Sequence, residues 1–134
     1  MSYWRLFYHI VWATKNREPL LKAEWEQDLY GYLWGKATAL GCLPHAINGM
    51  QDHIHLLISI PPKYSISRIV GHIKGSSSRY INSELRPINK FEWQSGFGAI
   101  SISESGFSTV VQYVLKQKQH HTNGTLKNIL EKIL

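Results

Sequence analysis

Two short patterns, far apart in the chain, carry residue types that do chemistry: Asp52-His53-Ile54-His55-Leu56-Leu57 and Tyr113-Val114-Leu115-Lys116-Gln117. The first sits in a run that reads as a β-strand. Strands alternate their side chains, so His53 and His55 point to one face, where two neutral imidazoles can share a divalent ion. The second sits in a run that reads as a helix, where residues four apart lie one above the other. Tyr113 then offers an oxygen nucleophile, and Gln117 a neutral oxygen donor able to complete a metal site. This set suits breaking a phosphodiester bond and keeping one end on the tyrosine. A metal held by His53, His55 and Gln117 would neutralise charge developing on a non-bridging oxygen, and Tyr113 would attack phosphorus. A phenol has a pKa of about 10 and needs help to lose its proton. No residue in the sequence identifies itself as the base. Taken alone, each pattern also fits an ordinary role: two polar residues on a half-exposed strand, and a core aromatic on an amphipathic helix.

The elements that must position these residues follow from periodicity and punctuation. Leu6 to Ala13 is aromatic and β-branched and reads as a strand. Thr14 to Pro19 reads as a polar loop. Lys22 to Leu40 carries Trp25, Leu29, Tyr32, Leu33, Ala37 and Leu40 at helical spacing, and Gly41 is a natural stop. Leu43 to Asn48 reads as a second strand and His53 to Ile60 as a third. In the third, Ile54, Leu56, Ile58 and Ile60 share one face, and His53, His55, Leu57 and Ser59 the other. Pro61-Pro62 ends it. Ser65 can cap a helix to about Leu85 with an apolar stripe of Ile66, Ile69, Val70, Ile73, Tyr80 and Ile81, and Arg86-Pro87 breaks it. Ala99 to Ser103 reads as a fourth strand. Ser108 can cap a helix to about His121, on which Val111 and Leu115 give an apolar stripe that leaves Tyr113 and Gln117 to the side. Leu126 to Leu134 reads as a short closing helix. The order β-α-β-β-α-β predicts an α+β, ferredoxin-like (RRM-like) fold with a four-stranded antiparallel sheet. Two helices would cover one face. The other would carry His53 and His55, with the tyrosine helix over it.

The 134 residues fit one domain spanning 1–134. Lys and Arg number 15 against 9 Asp and Glu, a formal net charge of +6, and five Trp, seven Tyr and four Phe supply rings. Such a chain favours polyanions, with aromatics available to pack or to stack on bases. Cys42 is the one cysteine, so no internal disulfide forms and an oxidising compartment is not indicated. The opening Met1-Ser2-Tyr3-Trp4-Arg5 has no apolar signal region and no run reaches membrane-spanning length, which makes the cytoplasm the expected location, with no membrane partner.

These features resemble the HUH-type single-tyrosine transposases, the TnpA type of small prokaryotic insertion sequences. The resemblance runs over essentially the whole chain: Tyr8 to Arg17, the HUH signature His53-Ile54-His55, Ile73 to Arg79, Trp93 to Gly98, and Tyr113-x-x-x-Gln117 followed by His120-His121. It implies a ferredoxin-like fold, a homodimer, and binding of single-stranded DNA at element ends, often at an imperfect hairpin. It further implies cleavage through a 5′-phosphotyrosine with Mg²⁺ or Mn²⁺, followed by strand rejoining. His53 and His55 match the HUH metal ligands, Tyr113 the nucleophile and Gln117 the third protein ligand. In such proteins the tyrosine helix of one subunit can serve the histidines of the other, and the break before Ser108 would leave a joint for this. A domesticated branch acts on repeated palindromic DNA.

Lys15, Arg17, Arg68, Lys74, Arg79, Arg86 and Lys90 are expected to contact phosphates or to be ordinary solvated cations in about equal measure. Trp93 and Phe97 are expected to pack under their loop, or to stack on bases. His120 and His121 are read as capping the tyrosine helix electrostatically or touching DNA. Two other readings remain at this point. A non-catalytic single-strand binder of this fold needs aromatics where His53 and His55 stand. A hydrolytic nuclease would use the histidines and leave Tyr113 without a role.

Overall fold

His53–Ser59 forms a strand, β3, that is buried along its whole length. The reason is that both faces are covered. Ile54, Leu56 and Ile58, with Ile60 just beyond, enter the main core beside Ile10 and Trp12. Leu57 enters a smaller cluster with Ala46, Val110 and Val114 on the opposite face. The computed structural model describes residues 3–133. The remaining strands are Phe7–Ala13 (β1), Leu43–Gly49 (β2) and Gly98–Ile102 (β4). The sheet order is β2-β3-β1-β4, antiparallel at every pairing, which is the expected ferredoxin-like arrangement.

Helices α1 (Glu26–Ala39) and α2 (Ile66–Tyr80) cover one face with Leu29, Leu33, Ala37, Ile69, Val70 and Ile73. Ser65 caps α2 as expected, its hydroxyl accepting from the Arg68 amide at 3.1 Å. The helix continues as a wider π-turn over Ile81–Leu85 and stops where Arg86 turns left-handed. Two residues of the polar loop after β1, Asn16 and Arg17, also have positive φ, at 57° and 54°.

The other face is covered by Phe107–Leu115 (α3), Gln117–Asn123 (α4) and Asn128–Glu131 (α5). Three expectations change here. Ser108 is not the cap: α3 starts one residue earlier, and the Ser103 hydroxyl holds the Gly106 amide at 3.1 Å. The expected single helix to His121 is two, broken at Lys116 (φ −102°, ψ 23°). The stripe that packs on the sheet is Val110 and Val114, whereas Leu115 is half exposed. Tyr113 and Gln117 lie on that same inward side and are buried with it, rather than presented to the side. The closing helix is shorter than Leu126–Leu134, and Leu134, like Met1 and Ser2, lies outside the described residues. Among the described residues no helix is long and apolar enough to cross a membrane.

Candidate active site

The first two strands after α1 meet at Gly49, where a Cβ would fall 2.3 Å from the His53 carbonyl oxygen. A residue without a side chain is therefore required for the close return that starts β3 at His53. Pairing of β3 with β1 sets His55 opposite Val11 and His53 opposite Ala13. Both imidazoles are buried on the α3 side of the sheet, with ring centroids 5.0 Å apart.

Each imidazole is steered from behind. The Nδ1 of His53 hydrogen-bonds Asp52 Oδ1 at 2.6 Å, and Asp52 also takes the Arg17 guanidinium at 3.3 Å. The Nδ1 of His55 pairs with Nε2 of buried His9 at 2.7 Å. Such partners fix ring orientation and leave both Nε2 atoms facing the same space. Burial and the neighbouring His55 push His9 down to about 3, so it is neutral. Burial also lowers His55. His53 differs: burial opposes its charge, but the hydrogen bonds it donates to Glu131 and Asp52 outweigh that and raise it.

The helices bring Tyr113 and Gln117 to this pair. Gln117 is fully buried, its Oε1 3.4 Å from His53 Nε2. The Tyr113 ring lies 6.2 Å from that of His55 and stacks on His120 at 4.4 Å. His53, His55, Tyr113 and Gln117 thus converge within one chain. Burial and the hydrogen bond to Glu131 push the Tyr113 phenol up to about 12, so at neutral pH it is protonated.

The sequence reading missed three participants. Glu131 of α5 sits at the centre: Oε1 lies 3.2 Å from His55 Nε2 and 3.4 Å from His53 Nε2. Its Oε2 accepts from the Tyr113 hydroxyl at 2.5 Å and from Gln117 Nε2 at 3.0 Å. Burial opposes its ionisation, but the hydrogen bonds from His53 and His55 hold its carboxyl far below the usual range. His121, expected only as a cap or DNA contact, instead turns inward, Nε2 3.6 Å from Glu131 Oε1. His9 is the third. His121 stands four residues after Gln117 in the same local run, where its inward turn was not read, while Glu131 and His9 reach the site only through tertiary packing.

One ligand atom from each of His53, His55, His121 and Glu131 falls within 4.8 Å of the others. Imidazole nitrogens with a carboxylate or carboxamide oxygen suit a divalent ion, Mn²⁺ or Zn²⁺ more readily than Mg²⁺. His53 and His55, both buried and each oriented by a second residue, fit such an ion.

The expected phosphate contacts divide. Lys15, Lys74, Arg79 and Lys90 line one cleft of about 750 Å³ with Trp93 and Gln94. Lys74 is committed within it, donating to the carbonyls of Gln94 and Gly96 at 2.7 and 2.9 Å. Lys15 pairs with Glu92 at 2.7 Å. Arg17 is drawn to Asp52 beside the histidines, while Arg68 lies over Tyr64, its guanidinium 5.8 Å from the ring centroid. Trp93 is a packing residue: its indole donates to Ser77 Oγ at 2.9 Å and meets Trp12 edge-on. Phe97 also packs on the core.

Comparison with known proteins gives a consistent result. The profile of the family described as "Transposase IS200 like" matches residues 2–117. The ISDra2 transposase TnpA of Deinococcus radiodurans is 27% identical over 119 residues, covering 85% of each chain. The transposase for insertion sequence element IS200 of Salmonella typhimurium is 32% identical over 97 residues, covering 69% of this chain and 60% of its own length. A solved Deinococcus radiodurans R1 structure described as a transposase superposes with TM-score 0.69 at 29% identity, over 87% of this chain and 95% of that one. A REP-associated tyrosine transposase, solved bound to a REP hairpin, shares the fold at TM-score 0.67 and 17% identity, over 90% and 74%. The chain belongs to the IS200-like transposase family, the Y1 transposases of the TnpA type.

Proposed function

We propose that this transposase cleaves and rejoins single-stranded DNA through a covalent link to Tyr113. The observation that carries the reading is convergence: the Tyr113 hydroxyl, Gln117 and the Nε2 atoms of His53 and His55 all address one small space, marked by the two oxygens of Glu131. In the proposed step the Tyr113 oxygen forms a bond to phosphorus and the bond from phosphorus to the 3′ oxygen breaks. The phenolic proton is lost and the 3′ oxygen gains one, leaving a 5′-phosphotyrosine and a free 3′ hydroxyl. Reversal by another 3′ hydroxyl rejoins DNA with no external energy source. A divalent ion, Mg²⁺ or Mn²⁺, held by His53, His55 and Gln117 would supply Lewis-acid stabilisation of the developing negative charge. Asp52 and His9 orient the two imidazoles from behind. Exclusion of water around buried Tyr113 and Gln117 protects the covalent link from hydrolysis.

Single-stranded DNA beside a hairpin is the proposed partner. The net charge, the Lys15–Arg79–Lys90 cleft and a related fold solved with a REP hairpin support it. A homodimer is proposed from the family resemblance, and the break at Lys116 would let α4 and α3 reorient between partners.

The test uses labelled single-stranded oligonucleotides from the DNA flanking the protein's own gene, with Mn²⁺ or Mg²⁺, on denaturing gels. A metal-dependent, protease-sensitive adduct that disappears in Tyr113→Phe is expected. Cleavage that survives Tyr113→Phe would assign attack to water instead.

A further inference from the structure

The proposed nucleophile is not free. Tyr113 is only 3% exposed, and both hydrogen-bonding roles of its hydroxyl are taken by the C-terminal segment. It donates to Glu131 Oε2 at 2.5 Å and accepts from the Lys127 amide at 3.0 Å. The same carboxylate spans the site, with Oε1 on the imidazole side and Oε2 on Tyr113 and Gln117. A phosphodiester has the same anionic O–X–O outline, and the proposed reaction requires its phosphorus between the tyrosine and the histidines.

We infer that Glu131 occupies the subsite of the scissile phosphate, and that residues 125–132 form a strap that competes with DNA for it. This rests on the reading of Tyr113 as the nucleophile. The strap is seated by a few contacts. Leu130 is buried, His120 Nδ1 meets Thr125 Oγ1 at 2.8 Å, and the Lys132 carbonyl lies against Gly98 so closely that a Cβ there would fall 1.9 Å from its oxygen. The remaining hold is the Lys127 amide on Tyr113 and the Glu131 carboxylate, and a competing anion substitutes for the carboxylate directly. Helix α5 has four residues and little intrinsic stability of its own. Opening therefore leaves the sheet and its histidines in place.

A competitor of this kind divides apparent DNA affinity by the fraction of open chains, so a strap closed nine-tenths of the time weakens binding about tenfold. The experiment compares wild type, Glu131→Gln and Gly98→Ala with a flanking-DNA oligonucleotide and Mn²⁺. Fluorescence anisotropy reads binding, and gels read the adduct. Glu131→Gln keeps the shape and removes the charge; Gly98→Ala acts on the Lys132 carbonyl, and on Val11 Cγ1 at 3.0 Å, and replaces no side chain of the site. Both are expected to bind DNA several-fold more tightly and to form adduct faster. Hydrogen exchange of the Lys127 amide reports the strap itself: protected in free wild type, unprotected when DNA binds. Unchanged or weaker binding in both variants, or a Lys127 amide still protected in the complex, would overturn the strap. Loss of adduct in Glu131→Gln while wild type still forms it would make Glu131 a required group, and would leave the Tyr113 reading standing. Absence of adduct in wild type and both variants, with tighter binding in the variants, would refute the tyrosine chemistry while keeping the competitor.

Discussion

The two histidines of the HUH pattern are not a bare pair; each has a hydrogen-bond partner, Asp52 or His9, that would set its usefulness as a ligand in the proposed site. Removing a partner of this kind typically lowers metal affinity by about 10–100-fold. Asp52→Asn and His9→Phe are therefore expected to weaken Mn²⁺ binding, measured by isothermal titration calorimetry, while leaving the fold intact by circular dichroism. Unchanged affinity in both would mean that the rings are held by packing alone. The Glu131–His53 contact also makes a pH prediction for the metal-free protein. Burial works against ionised Glu131, but its imidazole partners win, so its carboxyl lies below the ordinary 4.5. Its contribution to folding is complete above that value and drains away as pH falls further. Burial also works against charged His53, but Glu131 and Asp52 lift it above 6.5, so its contribution is complete below 6.5 and is lost as pH rises through the raised value. Together they stabilise most between these limits. Urea unfolding across pH 3 to 9 is expected to show that maximum in wild type, and a flatter profile in Glu131→Gln (on the order of pH units wide). The HUH pair was legible because strand alternation alone brings His53 and His55 to one face; the Tyr–Gln spacing was legible as a local pattern, although the helix breaks at Lys116 between the two. Glu131 and His9 were not, since nothing local ties an acid near the chain's end, or a histidine in the first strand, to the third strand.

At the scale of elements, the four strands and the helices on the first face followed from alternation and amphipathic stripes, the sheet arrangement only from the order of the elements, and Ser65 is the cap its position suggested. The second face was less legible. The Val111/Leu115 stripe is one residue out of phase with the Val110/Val114 pair that packs, and the difference moves Tyr113 and Gln117 from the flank to the interior. Periodicity in nine residues does not fix the phase of so short a helix, and nothing in Leu115-Lys116-Gln117 announces the break. The reading of α3 as docked through Leu57 has a direct check. Leu57→Ala removes the side chain that α3 packs on, and is expected to cost about 2–5 kcal/mol in urea unfolding. It should also lower adduct yield by misplacing Tyr113. A cost near zero would show that α3 is held elsewhere. Gly49→Ala, which sets a Cβ against the His53 carbonyl, is expected to lower metal affinity as well as stability.

For the whole molecule, the excess of positive charge resolves into places rather than a uniform coat. Lys15, Arg79 and Lys90 surround a cleft with Trp93 at its wall, and the strained turn at Asn16 and Arg17 joins that cleft to Asp52 and the histidines. A strand lying along this route would release counterions as it binds, with log affinity falling by about 0.7 per contacted phosphate per unit log salt. Arg79→Ala and Lys90→Ala are each expected to weaken single-stranded DNA binding at low salt and to reduce that slope by about one contact. Arg68→Ala, about three turns nearer the start of α2 and beside Tyr64, is expected to change neither. Equal effects from all three would place the DNA elsewhere. The central claim, however, concerns one oxygen atom. Its most direct measurement is mass spectrometry of the covalent complex formed with flanking single-stranded DNA and Mn²⁺, digested with protease and nuclease. The account predicts a nucleotide 5′-phosphate on the peptide containing Tyr113 and on no other. A nucleotide on a different tyrosine, or cleaved DNA carrying no peptide, would contradict it.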